Sequence, residues 1–362
     1  MVLTRRAAAA ARSIIRWLPN EILAIVMHHL SVAELCKISL VSRLLHNIAT
    51  PFIYRCLEIS NIPQLKMFIR SMNNGTGTLL SLHVREFNPP DNYDALQSCT
   101  YTPAIVKDLM TVVSRFSHLE TLNLLYTTAI NFSELLERAS FPRLTSFQYT
   151  LHSADCASVI SFLRRHSTLK KLTFLENERL NLPGPIHLPH LRELNVPHNH
   201  YASFVLDDVP LTSATVMIYD PNFNLEPTWR LLRTIPQLRA VGVICGVQHF
   251  DDAAELGKVA AHIPHIEAFS ARRPGLNFGP GTLLSSDAEA IAAHLKKLPS
   301  LSYLELDSHF DELDLDEIEE EIRRWSDECE TLVEVIFNGQ KWKWDNEVED
   351  WTFTPREAYI VT

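Results

Sequence analysis

The chain has 362 residues, 46% of them hydrophobic and 21% charged, enough to bury a sizeable core and too apolar for a disordered chain. Its 33 basic and 43 acidic residues leave a formal net charge of -10, which argues against a protein that holds nucleic acid by general electrostatics. Only 10 residues are glycine, and no Gly-x-Gly-x-x-Gly, Gly-x-x-x-x-Gly-Lys or Gly-x-Ser-x-Gly string occurs, so the usual nucleotide-binding and hydrolase loops have no support. No Ser/His/Asp or Cys/His set follows from spacing either. The expectation is a non-enzymatic protein without catalytic residues or a cofactor.

The first 17 residues lack acids and carry four arginines, a composition shared with mitochondrial transit peptides, although their apolar stretch is too weak for a secretory signal. Residues 17 to 57 then show a compact helical pattern. Pro19 suits a helix start, and apolar residues recur at Ile22, Leu23, Ile25, Val26 and Leu30. Ser31 followed by Glu34 forms a capping box for a second helix through Leu35 and Ile38. A third helix is predicted from Val41 with Leu44, Leu45 and Ile48 on one face, and Thr50-Pro51 restarts the chain towards Phe52 and Tyr54. Leu23, Leu44 and Ile48 are expected to pack the three helices together. So small a module has too little interior for the remaining apolar side chains.

This stretch resembles an F-box. The residues that carry the likeness are Leu18-Pro19, Glu21-Ile22-Leu23, His29-Leu30, Glu34-Leu35, Leu40-Val41-Ser42-Arg43, Ala49 and Tyr54-Arg55, in order and without gaps. Leu44 and Leu45 stand where the family usually has an aromatic residue. The resemblance implies a Skp-type adaptor as partner, and through it a cullin. Leu18, Pro19, Ile22, Ile25, Leu30, Leu35 and Val41 are the expected adaptor-binding residues.

Downstream, an L-x-x-L-x-L template recurs with first positions at Leu119, Leu144, Leu169, Leu191, Leu211, Leu238, Ile266, Leu301 and Leu332. Most spacings fall within the period of roughly 20 to 29 residues of leucine-rich repeats, and the last two exceed it. Pro142, Pro189, Pro236, Pro264 and Pro299 each stand two residues before a first position, where they end a helix and turn the chain into a strand. An irregular string at Leu79 to Val84 reads as an earlier, degenerate copy. Helical patterns lie between the strands, as at Val159, Ile160 and Leu163, or at Ile291, Leu295 and Leu298, and strand-helix-strand order calls for a parallel sheet. The fold class expected is α/β: a three-helix F-box followed by an irregular leucine-rich-repeat-like solenoid with a parallel sheet. The whole chain thus resembles F-box proteins of the kind abundant in fungi and plants. Asparagine at the ninth template position occurs only as Asn177 and Asn199. The boundaries read 1–16 lead-in, 17–57 F-box, 76–340 solenoid and 341–362 aromatic and acidic tail.

Residues alternating with the buried ones face outward on such a sheet. Asn123, Gln148, Thr173, Asn195, Gly242, Ile244, Tyr303 and Glu305 form the candidate face for a protein substrate, unless a helix or the C-terminal tail covers it. His187 and His190 fall before a predicted strand and His198 and His200 after it, roughly 20 Å apart, so no metal site is expected. Residues 307 to 350 hold 17 acidic and four basic residues. Ile318, Ile322 and Trp325 give the acidic helix there a packing side, making it a cap for the last repeat, with docking of a basic substrate as the alternative. The tail, with Trp342, Trp344, Trp351 and Phe353, packs back or engages a ligand.

The six cysteines contain no Cys-x-x-Cys pair and read as thiols of a reducing compartment, and no apolar run reaches about 18 residues. Neither nucleic acid nor membrane is expected as a partner, and the localisation expected is cytoplasmic or nuclear. The function expected is a substrate receptor of a cullin-type ubiquitin ligase. An F-box scaffold outside ubiquitination and a small-molecule-sensing repeat protein are the alternatives.

Overall fold

A computed structural model describes residues 18–89, 102–125, 131–152, 155–176, 184–205, 209–220, 222–247, 250–273, 285–306, 315–337 and 340–354. The chain divides into two compact units, Met1–Tyr149 and Thr150–Thr362.

The first unit opens with α1 (Asn20–His28), α2 (Val32–Ser39) and α3 (Arg43–Ile53). Ser31 caps α2 through the full capping box: its backbone N–H donates to the Glu34 carboxylate at 2.9 Å and its hydroxyl accepts from the Glu34 N–H. Ser42 caps α3 by accepting the Leu45 N–H. Among the described residues the three helices fully bury Leu23, Met27, Leu35, Leu45 and Ala49, with Leu30, Ile38, Ile48, Phe52 and Ile53 packed half-buried against them. Pro51 does not restart the chain: α3 runs through it to Ile53, because a missing N–H so near the helix end interrupts little of the remaining ladder.

Strands alternate with helices from there. In the first unit β1 (Cys56–Glu58), α4 (Ile62–Asn73), α5 (Gly77–Ser81), β2 (Glu86–Asn88), α6 (Pro103–Val113), β3 (Thr121–Leu124), α7 (Ser133–Arg138) and β4 (Ser146–Leu151) follow in order, and the strands pair in parallel in chain order. The sheet therefore begins at Cys56. The string at Leu79 to Val84 is mostly helix α5 and its exit; the early copy is displaced to Val84 and Phe87, which is paired with Leu122 in the register of the later copies.

The second unit contains α8 (Cys156–Arg165), β5 (Lys171–Glu176), β6 (Glu193–Pro197), a 3-10 turn at His198–His200, α9 (Tyr201–Phe204), β7 (Ser213–Ile218), α10 (Glu226–Leu232), β8 (Ala240–Cys245), α11 (Asp252–His262), β9 (Ala268–Arg272), α12 (Ser285–Leu295), β10 (Tyr303–Leu306), α13 (Leu315–Glu328), β11 (Glu334–Phe337), β12 (Gln340–Asp345) and β13 (Asp350–Thr354). Strands β5 to β11 pair in parallel in chain order, and β12 and β13 add an antiparallel hairpin to β11.

The repeat is a repeat of hydrogen bonds as well as of leucines. Every first, fourth and sixth position of the template, from Leu119, Leu122 and Leu124 to Leu332, Val335 and Phe337, is buried. Three residues before most first positions sits another buried side chain, as at Phe116, Phe141, Leu188, Ile235, Ile263 and Leu298, and its carbonyl accepts the first position's N–H at 3.0–3.4 Å. Pro142, Pro189, Pro236, Pro264 and Pro299 occupy the second place of these turns, where a fixed φ is pre-set. His166 takes the first place of one such turn, its carbonyl accepting the Leu169 N–H; it is buried, lies tilted against Phe162 at 4.0 Å and shares a hydrogen bond from Nδ1 with the Phe162 carbonyl. It is a satisfied core histidine.

The C-terminal end closes the second unit's helix side. Ile318, Ile322 and Trp325 of α13 are buried, while Glu320, Arg323 and Arg324 are exposed. Trp342 pairs with Val335 and so lies on the helix side, and Trp351 reaches Ser326 of α13 through its indole N–H at 3.3 Å. Arg323 bonds both Glu319 and Asp350, tying helix to hairpin. Residues 340–354 thus extend the sheet edge and pack back on α13, leaving the other sheet face uncovered by them.

Three outcomes follow from this packing. Leu304→Ala removes a fully buried strand side chain and should cost about 2–5 kcal/mol in chemical denaturation. Deleting everything from Leu315 onward should expose the apolar edge of β10 and produce aggregates in size-exclusion chromatography, whereas Glu320→Lys should shift stability by less than about 0.5 kcal/mol. Burial holds His166 below the ordinary histidine range, and it does the same for His83 and His294. The folded state then binds fewer protons than the unfolded one, so stability is complete above the ordinary value of 6.5 and falls as pH drops below it. Melting temperature against pH, with His166→Phe flattening part of the slope, checks the assignment.

Candidate functional site

Five core residues cannot absorb the apolar content of the first three helices. Leu18, Ile22, Ile25, Val26, Val32, Leu40, Val41 and Leu44 are all exposed, Leu40 at 87% and Val41 at 68%. On α1 the buried Leu23 and Met27 share one side, while Ile22 and Val26, also four apart, share another. Leu40 and Val41 form the turn between α2 and α3, where both side chains stand exposed. An apolar row this dense on a surface marks a protein-binding face.

Of the expected adaptor-binding residues, Leu18, Pro19, Ile22, Ile25 and Val41 are exposed and Leu30 is half-buried against the small core. Leu35 is corrected: at 3% exposure it belongs to that core, because α2 turns it towards Leu23 and Leu45. Leu44 is corrected in the opposite sense. A helix rotates successive side chains by about 100°, so with Leu45 inward Leu44 points out. Val26, Val32 and Leu40 are exposed beside them and lie outside the expected adaptor-binding set, although the four-residue spacing from Ile22 to Val26 signals the first. Ser31, chiefly through its backbone N–H and then its hydroxyl, holds the Glu34 carboxyl below the usual carboxylate range at the edge of this row.

The second candidate face is the sheet side away from the helices. In the first unit Asn123 and Gln148 are half-buried there, and Asn123 accepts the Leu125 N–H with its own side chain. In the second unit Thr173 is buried and accepts a hydrogen bond from Asn195 at 3.2 Å. Gly242 lies between Thr215 and Ser270: a Cβ there would stand 3.0 Å from both hydroxyl oxygens. Ile244 is half-buried beside it. Tyr303 donates to the Glu305 carboxylate at 2.9 Å, and Arg272 bonds the same oxygen at 2.6–2.8 Å. Burial, reinforced by Glu305, pushes the Tyr303 hydroxyl upward. The role of Arg272, Thr215 and Ser270 was not foreseen, although the alternation that placed Gly242 also places all three.

His187 and His190 are exposed ahead of β6 and His200 is buried beyond it, at opposite ends of the strand. Among the described residues no three His, Cys, Asp or Glu side chains converge as a metal ion requires. A groove of about 360 Å³ between α12 and α13 has Glu289, Lys296, Arg324 and Glu328 on its walls, and Lys296 and Glu328 neutralise each other at 3.2 Å. No helix among the described residues is long and apolar enough to cross a membrane.

Residues 15–60 match the F-box-like family, so the three helices with the exposed apolar row are an F-box-like domain, the class of module that binds Skp-type adaptors. No curated protein matches the chain.

Proposed function

We propose that this protein is a non-catalytic substrate receptor of a cullin-type ubiquitin ligase. Its F-box-like domain grips a Skp-type adaptor, and the strand-helix units, a leucine-rich-repeat-like solenoid of the fungal kind, present a protein substrate on the open sheet face. The observation that carries the reading is the coincidence of the F-box-like match with an exposed apolar row that the domain's own core leaves out. Adaptor contact would bury Leu18, Pro19, Ile22, Ile25 and Val41, together with Leu40 and Leu44. The receptor supplies proximity rather than chemistry: linked sites raise effective concentration to about the millimolar range. That role needs no catalytic group or cofactor on this chain and fits a cytoplasmic or nuclear protein.

Co-purification tests it. The full chain should bring down a Skp-type adaptor and a cullin together, and the change of Leu18 and Pro19 to alanine, or Val41→Asp, should abolish capture at unchanged melting temperature. Leu35→Ala should instead lower the stability of the domain. Adaptor without cullin would favour a scaffold outside ubiquitination, and undiminished capture by the Leu18/Pro19 variant would sink the assignment.

A further inference from the structure

We propose that the open face of β5 to β10 takes an acidic peptide segment, one carboxylate of which sits over Gly242 between the Thr215 and Ser270 hydroxyls. This rests on the open-face reading above and adds the chemical class of the occupant.

Three observations converge on it. The first is a pair of hydroxyls. The middle row of this face runs Thr173, Asn195, Thr215, Gly242, Ser270 and Glu305 across paired strands, and only Gly242 lacks a side chain. Thr215 and Ser270 close in on the buried Gly242 from either side, each hydroxyl 3.0 Å from the place a Cβ would take. Both are half-exposed and have no hydrogen-bond partner among the described residues, so two donors converge above Gly242 at a distance that suits one acceptor oxygen.

The second is an anchored guanidinium. Glu305 has 9% side-chain exposure and fixes Arg272, which remains 54% exposed, two residues from Ser270 on the same face. Nε and Nη2 both reach one Glu305 oxygen and the guanidinium also meets the Tyr303 hydroxyl, so the charge is held in place at the surface. A carboxylate accepts from such a guanidinium and from hydroxyls, but donates nothing that would compete with Tyr303 for Glu305.

The third is charge. On this face and along its N-terminal rim, Lys170, Lys171, Arg192, Arg239 and Arg272 stand against Glu193, Glu267 and Glu305, a basic excess in a chain of net charge -10. Lys171 and Arg239 are paired with Glu193 and Glu267, whereas Lys170 and Arg192, on adjacent rungs joined by the Arg192 N–H and the Lys170 carbonyl, have no ion-pair partner among the described residues. An acidic segment crossing the rungs meets unneutralised cations at β5 and β6 and the anchored Arg272 at β9.

The probe is a displayed library of random short peptides, selected on the full chain. Selected peptides should be richer in Asp and Glu than the starting library and bind more weakly as salt rises. Their synthetic copies should lose about tenfold or more in affinity on Gly242→Val, which forces the two hydroxyls apart, and on the double change of Lys170 and Arg192 to serine. Asn or Gln in place of the acidic residues should weaken binding similarly. Melting temperatures of both variants are measured first; the double change alters two exposed, unpaired side chains and keeps the test open if Gly242→Val unfolds. Neutral or basic peptides whose binding still depends on Gly242 would overturn the acidic class and leave the open-face reading standing. Peptides indifferent to both variants, or no selected peptides at all, would overturn both.

Discussion

One backbone interaction organises the strands. Just ahead of most strands a single carbonyl accepts two consecutive N–H groups from the next: Arg55, Arg85 and Glu120 do so in the first unit, and Lys170, Arg192, Thr212, Arg239, Glu267 and Ser302 in the second, all at 2.7–3.1 Å. Thr145, Thr212 and Ser302 add a hydroxyl donor to the same kind of carbonyl. Each bond pair sets the lateral register of the next strand, and a one-residue slip would turn Leu194 or Leu304 from the helix side to water. The leucine pattern is thus effective only because this ladder repeats with it.

The ladder makes the two sheet sides unequal. On the helix side the template positions are dry and filled by leucine, phenylalanine and valine; the other side carries Thr173, Asn195, Gly242 and Ser270 in partial contact with water. Helices connect the parallel strands on one side, so apolar and polar rows stay apart. The F-box-like domain is too small to hide all of its apolar residues, and several of them stay exposed.

At the C-terminal end the acidic charge and the aromatic tail have one structural use. The buried stripe of α13 faces the stack while Asp316, Glu317, Glu320 and Asp327 stay in water, and the hairpin carries Trp342 and Trp351 onto the same side. Arg323 and Arg324, in contact with Glu319, Asp350 and Glu321, keep these carboxylates from repelling one another unchecked.

Local chemistry was enough to reveal the three helices, the Ser31–Glu34 cap, the burial of every template leucine and the parallel, helix-connected strands, because each depends on residues a few places apart or on a period that repeats. Four things needed the tertiary structure. Leu35 and Leu44 exchanged their expected places, since both are apolar at a plausible spacing and only the packing of α1 against α3 selects which turns inward. Pro51 stayed inside α3, where its cost depends on distance from a helix end that pattern alone does not locate. The tail became two strands, its antiparallel pairing to β11 being a non-local choice. The grouping of Thr215, Gly242 and Ser270, and the contact of Arg272 with Glu305, depend on neighbours from other strands, because each exists only when those strands lie side by side.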